Sequence, residues 1–299
     1  MMSFSAEVKK ELCAVHADQP CCMAAETYGL LEYGHAFSAA QISLYTEQNA
    51  VAHLYLDQIE KVCGVRPIRQ ETLKHNAFHI VTVSRPEERK QIFDRFGHDI
   101  SDITVRFNRA NLECDACPSA YLRGAFLSCG AVTNPSSDYH LEFSVPYFNL
   151  SRDLLTLLLE LGLSAKMIRR KGSYVVYLKE SEQIEDCLTM MGAVAASLEL
   201  MNVKIVKDIR NTANRITNCE SANIDKTVAA AAVQIEAVRK ISRCGGLQNL
   251  PKSLREIAQL RLDNPDMSLR ELGENLTEPL SRSGVNHRLR RIVELADKL

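Results

Sequence analysis

Two short apolar segments, Glu26–Gly34 (ETYGLLEYG) with Ala25 just ahead of it and Tyr121–Gly130 (YLRGAFLSCG), place small residues four apart, Ala25 then Gly29 and Gly124 then Ser128. That spacing puts the small side chains on one helical face, where two backbones approach closely. Each segment ends in Gly, which suits a left-handed residue that closes a helix. A short amphipathic helix over residues 5–16, with Val8 and Leu12 on one face, is expected before the first of them.

Beyond each segment the hydrophobic period changes in the same order. After Gly34, Ile42–Tyr45 alternates as a strand, and Ala50–Cys63 holds Val51, Leu54, Ile59 and Val62 near helical spacing. Val65–Lys74, the turn His75–Asn76 and Ala77–Val83 predict a hairpin, and Ser84 and Pro86 open a helix that ends near Gly97. In the second copy Leu141–Val145 is the strand and Asn149–Leu161 the helix. Ala165–Arg170 and Tyr174–Lys179 then form a hairpin about Lys171–Gly172–Ser173, and Ser181–Met191 is the closing helix. Gly34, Gly64 and Gly97, and again Gly130, Gly162 and Gly192, recur at about thirty residues, as two copies of one supersecondary unit would. The fold class expected is α+β, with repeats over residues 1–105 and 106–210.

The pattern then becomes all-helical. Residues 193–210 predict a helix leading out of the repeats, and the Asn-rich stretch 211–223 is read as a linker before a C-terminal domain over 224–299. Asp225 is the expected N-cap of a helix over Lys226–Ser242 that ends at Gly245–Gly246, and Pro251 opens another that stops at Asn264–Pro265. Ser268 and Glu271 form a capping box ahead of LRELGENL. After a turn containing Pro279, Ser281 caps RSGVNHRLRRIVELADKL, so residues 268–299 have helix-turn-helix form. Val285, Leu289, Ile292, Val293 and Ala296 fall at core spacing. From Ser281 to Arg291 the chain has Arg282, Arg288, Arg290 and Arg291 and no acid, together with Ser283, Asn286 and His287. Arg reads guanine and Asn reads adenine, each by paired hydrogen bonds, and Ser281 and Ser283 at the helix N-terminus suit a phosphate. These eight residues are the candidate contacts to double-stranded DNA.

Composition narrows the rest. At 299 residues with 46% hydrophobic and 24% charged residues the chain is an ordinary globular protein, and its net charge of −1 requires any nucleic-acid affinity to come from local asymmetry. The N-terminus lacks a signal-peptide core and no run is long enough to span a membrane, so a cytoplasmic, nucleoid-associated location without a membrane partner is expected. The ten cysteines are irregularly spaced. Cys114 and Cys117 make the only CxxC, and without a second pair at ligand spacing no metal or cofactor is expected; the adjacent Cys21 and Cys22 add nothing to that reading. His75 and His79 read as surface polar residues. Nucleotide, HExxH and EF-hand motifs are not found. The hairpins are basic: Lys166, Arg169, Arg170 and Lys171 in the second copy, Arg66, Arg69 and Lys74 in the first, all candidate phosphate contacts.

Gly124, Gly130 and the apolar run between them resemble the LAGLIDADG helix of homing endonucleases. That resemblance implies a saddle of two αββαββα repeats whose sheets lie on DNA, with an acidic metal ligand just before the final Gly of each motif. Here those positions hold Tyr33 and Cys129, and a phenol and a thiol cannot replace two carboxylates for Mg²⁺. Glu32, one residue earlier, should point away from the helix pair because one helical step turns a side chain by about 100°. With SFSAEVKKEL, AYLRGAFLSCG and SRSGVNHRLRRIVELADKL, the whole chain resembles the WhiA family of bacterial regulators. The resemblance implies a non-enzymatic, promoter-binding transcription factor linked to cell division and chromosome segregation and, in sporulating actinomycetes, to sporulation beside a WhiB-type iron–sulfur partner. The competing reading is an active site-specific endonuclease with relocated metal ligands.

Overall fold

The structure, a computed structural model, describes residues 3–72, 78–101 and 104–299. Helix α1 (Phe4–Leu12) is capped by Ser3 and buries Phe4, Val8 and Leu12. Two repeats come after it. The first runs α2 (Pro20–Glu32), β1 (Ala36–Phe37), β2 (Ile42–Thr46), α3 (Asn49–Cys63), β3 (Ile68–Thr72), β4 (Phe78–Val83) and α4 (Pro86–Arg95). The second runs α5 (Cys117–Cys129), β5 (Gly130–Val132), β6 (Leu141–Val145), α6 (Phe148–Glu160), β7 (Lys166–Arg170), β8 (Ser173–Leu178) and α7 (Ser181–Met191). Each repeat holds one antiparallel sheet, ordered β1-β2-β4-β3 and β5-β6-β8-β7. Repetition of element order and strand order establishes the expected α+β duplication.

The repeats share one hydrophobic core and form a single compact unit, Met1–Lys207. At its centre α2 and α5 run side by side in the same direction: Glu26 lies against Gly124, and Ser128 Oγ donates to the Leu30 carbonyl at 2.7 Å. A methyl group on Gly29 would fall on the Tyr121 carbonyl, and one on Gly124 on the Glu26 carbonyl, so the four-residue spacing of small residues is a close-approach seam. The closing glycines are small for a different reason than the one expected. Gly130 is extended, at φ −82° and ψ 152°, and starts β5. There a Cβ would strike the Phe126 ring, while at Gly34 it would lie 2.8 Å from the Ser43 carbonyl.

The second compact unit is Asp208–Leu299. The stretch 211–223, expected as a linker, is helical: α8 (Val194–Cys244) passes through it without a break, and Asp225 lies inside the helix rather than capping one. Neither Gly nor Pro occurs between Val194 and Cys244, and Asn carries only a modest helix penalty, so polarity alone does not interrupt the hydrogen-bond ladder. Helices α9 (Lys252–Asp263), α10 (Leu269–Glu274) and α11 (Arg282–Asp297) complete this unit. Its core joins Val238 and Ile241 of α8 to Ile257, Leu272, Val285, Leu289 and Ile292.

Candidate nucleic-acid interface

The two motif positions at which the LAGLIDADG resemblance places metal-binding acids hold Tyr33 and Cys129. Tyr33 is buried, and its hydroxyl lies 3.3 Å from that of Tyr121 and 3.5 Å from the Leu150 carbonyl. Burial pushes the Cys129 thiol up to about 12, and the Lys9 ammonium is its nearby charge. Glu32 does not point away, as expected from the helical step: it is buried, its Oε1 accepts from Tyr28 Oη at 3.0 Å and its Oε2 from Tyr121 Oη across the seam. The reason is that α2 has no solvent side over this stretch, since every residue from Ala24 to Glu32 is buried. Burial pushes the Glu32 carboxyl up to about 8 against the two tyrosine hydrogen bonds, so it is a neutral acid at neutral pH. Tyr28 Oη in turn meets His98 Nε2 at 2.8 Å and accepts from the Asn108 N–H. A further cross-seam contact is ionic, Arg123 clasping Glu26 at 2.8 and 3.0 Å, both buried.

Strand alternation sorts the hairpin cations. In the first sheet Arg69 pairs with Val81 and Glu71 with His79, so these side chains share the helix-covered face. Arg69 bonds Asn49, His53, Glu71 and His79 and is only 17% exposed at its side chain, which removes it from the candidate phosphate contacts. His79, expected at the surface, is buried beside it. Arg66 is exposed and paired with Glu60. Lys74 and the turn His75–Asn76 lie outside the described residues. The second sheet differs. Lys166 and Arg170 are exposed and share the face opposite Val176 with Ile168, while Arg169 projects from the other face over the Tyr174 ring at 5.8 Å. Lys171 stands in the hairpin turn at φ 48°.

In the second unit the capping box of Ser268 and Glu271 is formed, with the backbone N–H of Ser268 donating to Glu271 at 2.8 Å. The Ser281 side chain caps α11 through the Gly284 N–H, at 3.3 Å. Val285, Leu289, Ile292 and Ala296 are buried and Val293 partly so. Opposite them Ser283, His287 and Arg290 are exposed. Arg282, Asn286 and Arg290 border grooves whose other wall is α8 around Ala230 and Gln234. Arg288 lies on the α9 side, half-buried, donating to the Ser253 carbonyl at 3.1 Å, and Arg291 pairs with Glu294 at 3.1 Å. Of the eight candidate residues, Ser283 and His287 face outward, Arg282, Asn286 and Arg290 border the grooves, Ser281 caps the helix, and Arg288 and Arg291 are engaged within the protein.

Comparison with known proteins divides along the same two units. A profile described as the WhiA LAGLIDADG-like domain matches residues 118–210, and one described as the WhiA C-terminal HTH domain matches residues 213–296. A relative in Clostridium botulinum (strain Hall), named "Probable cell division protein WhiA", is 41% identical over 311 residues, covering 100% of this chain and 99% of its own. The chain belongs to the WhiA family. Identically named relatives in Ruminiclostridium cellulolyticum and Alkaliphilus metalliredigens are 39% and 37% identical; they cover 100% and 99% of this chain, and 98% of their own length each. The crystal structure of full-length WhiA from Thermatoga maritima has a TM-score of 0.60 at 24% identity, covering 100% of this chain and 99% of its own, and shares the fold. Among the described residues no helix is long and apolar enough to cross a membrane.

The cysteine spacing did not foretell one feature of this WhiA-family chain. Cys21 and Cys22, in the first turn of α2, meet Cys114 and Cys117 at the head of α5, with all four sulfurs within 4.8 Å of one another. Hydrogen bonds, first from Cys117 and then from the Ala116 N–H, pull the Cys114 thiol down to about 7, while burial pushes Cys22 up to about 12. The signal available in the chain was that both pairs sit next to a Pro in the first turn of a motif helix, Pro20 and Pro118.

Proposed function

We propose that this protein is a non-enzymatic, sequence-specific regulator that binds double-stranded DNA at promoters and acts in cell division, the role in its relatives' name. The observation that carries this reading is α11: a capped helix in helix-turn-helix context whose free side offers Arg282, Ser283, Asn286, His287 and Arg290. Base discrimination is assigned to Asn286 and Arg290, with Ser281 and Ser283 on a phosphate at the helix N-terminus. Arg288 and Arg291 are given supporting roles, because their guanidinium groups already bond the protein. Absence of catalysis is supported by a buried phenol and a neutral thiol at the two positions where a metal-binding acid would stand. A link to chromosome segregation and a nucleoid location accompany this reading. A WhiB-type partner is expected only from the family, and no residue of this chain argues for it.

The test compares cognate duplexes, found by mapping bound genomic sites, with random duplexes of the same length. Asn286→Ala and Arg290→Ala are each expected to weaken cognate binding by about 1 to 3 kcal/mol and random binding far less. Equal losses on both duplexes would overturn the base-reading assignment. Incubation of supercoiled plasmid with Mg²⁺ or Mn²⁺ is expected to leave it intact, and nicking by the purified protein would favour the endonuclease reading instead.

A further inference from the structure

Four of the ten cysteines are brought together from positions about ninety residues apart by the parallel pairing of α2 and α5, which sets both helix N-termini at one end of the seam. Cys114 is the hub. Its sulfur lies 3.6 Å from Cys21, 3.6 Å from Cys22 and 3.4 Å from Cys117. A disulfide would need about 2.05 Å, and one sulfur with three near-equal neighbours favours no single pairing. Four thiolates at about 2.3 Å from one tetrahedral ion stand about 3.8 Å apart, which is close to the spacing found here.

We propose that Cys21, Cys22, Cys114 and Cys117 bind one Zn²⁺ as a structural tetrathiolate that ties the start of α2 to the start of α5. The donor set selects the ion: soft thiolates prefer Zn²⁺ over the oxygen-seeking Mg²⁺ and Ca²⁺. The compactness of the sulfurs suits a single ion, since an iron–sulfur cubane spreads its cysteines farther. Cys117 and Cys22 are buried while Cys21 and Cys114 are half-buried, so the site is closed on one side and has an entry path on the other. The charge is accommodated as well. A Zn²⁺ with four thiolates is a net dianion, and two helix N-termini converge on it with no acidic residue in either first turn. The Cys21 thiol also donates to Gln19 Oε1 at 3.4 Å, a contact that metal binding would replace.

The test uses the full chain purified under reducing conditions. Metal analysis, and zinc released by a mercurial reagent, are expected to give about one ion per chain, and replacing Zn²⁺ by Co²⁺ is expected to give thiolate charge transfer with the intense ligand-field bands of a tetrahedral site. Cys114→Ser and Cys117→Ser should lose the ion, and Cys219→Ser, on the exposed part of α8, should keep it. If the first two variants do not fold, the cobalt spectrum of the unsubstituted chain still decides the matter. Folded, reduced protein that takes up no zinc and gives a featureless cobalt spectrum would overturn the proposal, as would zinc loss in Cys219→Ser equal to that in Cys114→Ser.

Discussion

Glu32 shows how far one side chain's chemistry depends on its surroundings. In an open chain its carboxyl ionises near 4.5, whereas burial between Tyr28 and Tyr121 pushes it up to about 8. Between those values the unfolded chain has lost a proton that the folded chain keeps. This contribution to stability is therefore whole below about pH 4.5, falls as pH rises toward about 8, and levels off above it. Glu32→Gln keeps a neutral group there, so its stability should decline less over this window, by on the order of a few kcal/mol in total. Denaturant unfolding of both proteins at several pH values measures the difference, and parallel pH profiles would show that Glu32 is ionised when folded. The sequence located the neighbouring lost-acid position but not this burial, because helical angle arithmetic assumes a solvent side that α2 lacks.

At the scale of elements, the seam between α2 and α5 was legible because close backbone approach leaves a mark in the chain itself, a small residue every fourth position. Gly124→Ala should destabilise the first unit by about 3 kcal/mol or more, since the added methyl meets backbone rather than a movable side chain. Scanning calorimetry would measure the loss, and an unchanged melting temperature would contradict the packing. Strand and helix limits were legible wherever the period changed sharply, as at β6 and α7, which match their expected spans residue for residue. Helix α8 was not: a run of Asn resembles a linker, yet only Gly or Pro reliably breaks a ladder, and none is present. The helix-turn-helix was legible from its capping box, whose two residues act locally.

Over the whole molecule, charge placement decides which surfaces can meet a phosphate backbone. Both hairpins looked basic, but alternation turns Arg69 into the helix-covered side and leaves Lys166 and Arg170 exposed. If the second sheet adds nonspecific contacts, Lys166→Ala with Arg170→Ala should lower the slope of log affinity against log salt by about 2 and leave cognate preference intact. Arg69→Ala should leave that slope unchanged and reduce stability instead. Fluorescence anisotropy over a salt series separates the two, and an unchanged slope in the double variant would remove the sheet from the interface.

By itself the chain determined the duplicated α+β order, the small-residue seam, the missing acids and the basic capped helix at its end. Each depends on neighbours within a few residues or on a repeat visible in one dimension. Tertiary structure alone decided that Glu32 faces inward, that Arg69 is consumed, and that two unrelated cysteine pairs become one cluster. Those outcomes arise where segments distant in sequence are brought to one place, and no local spacing records which side chains will be waiting there.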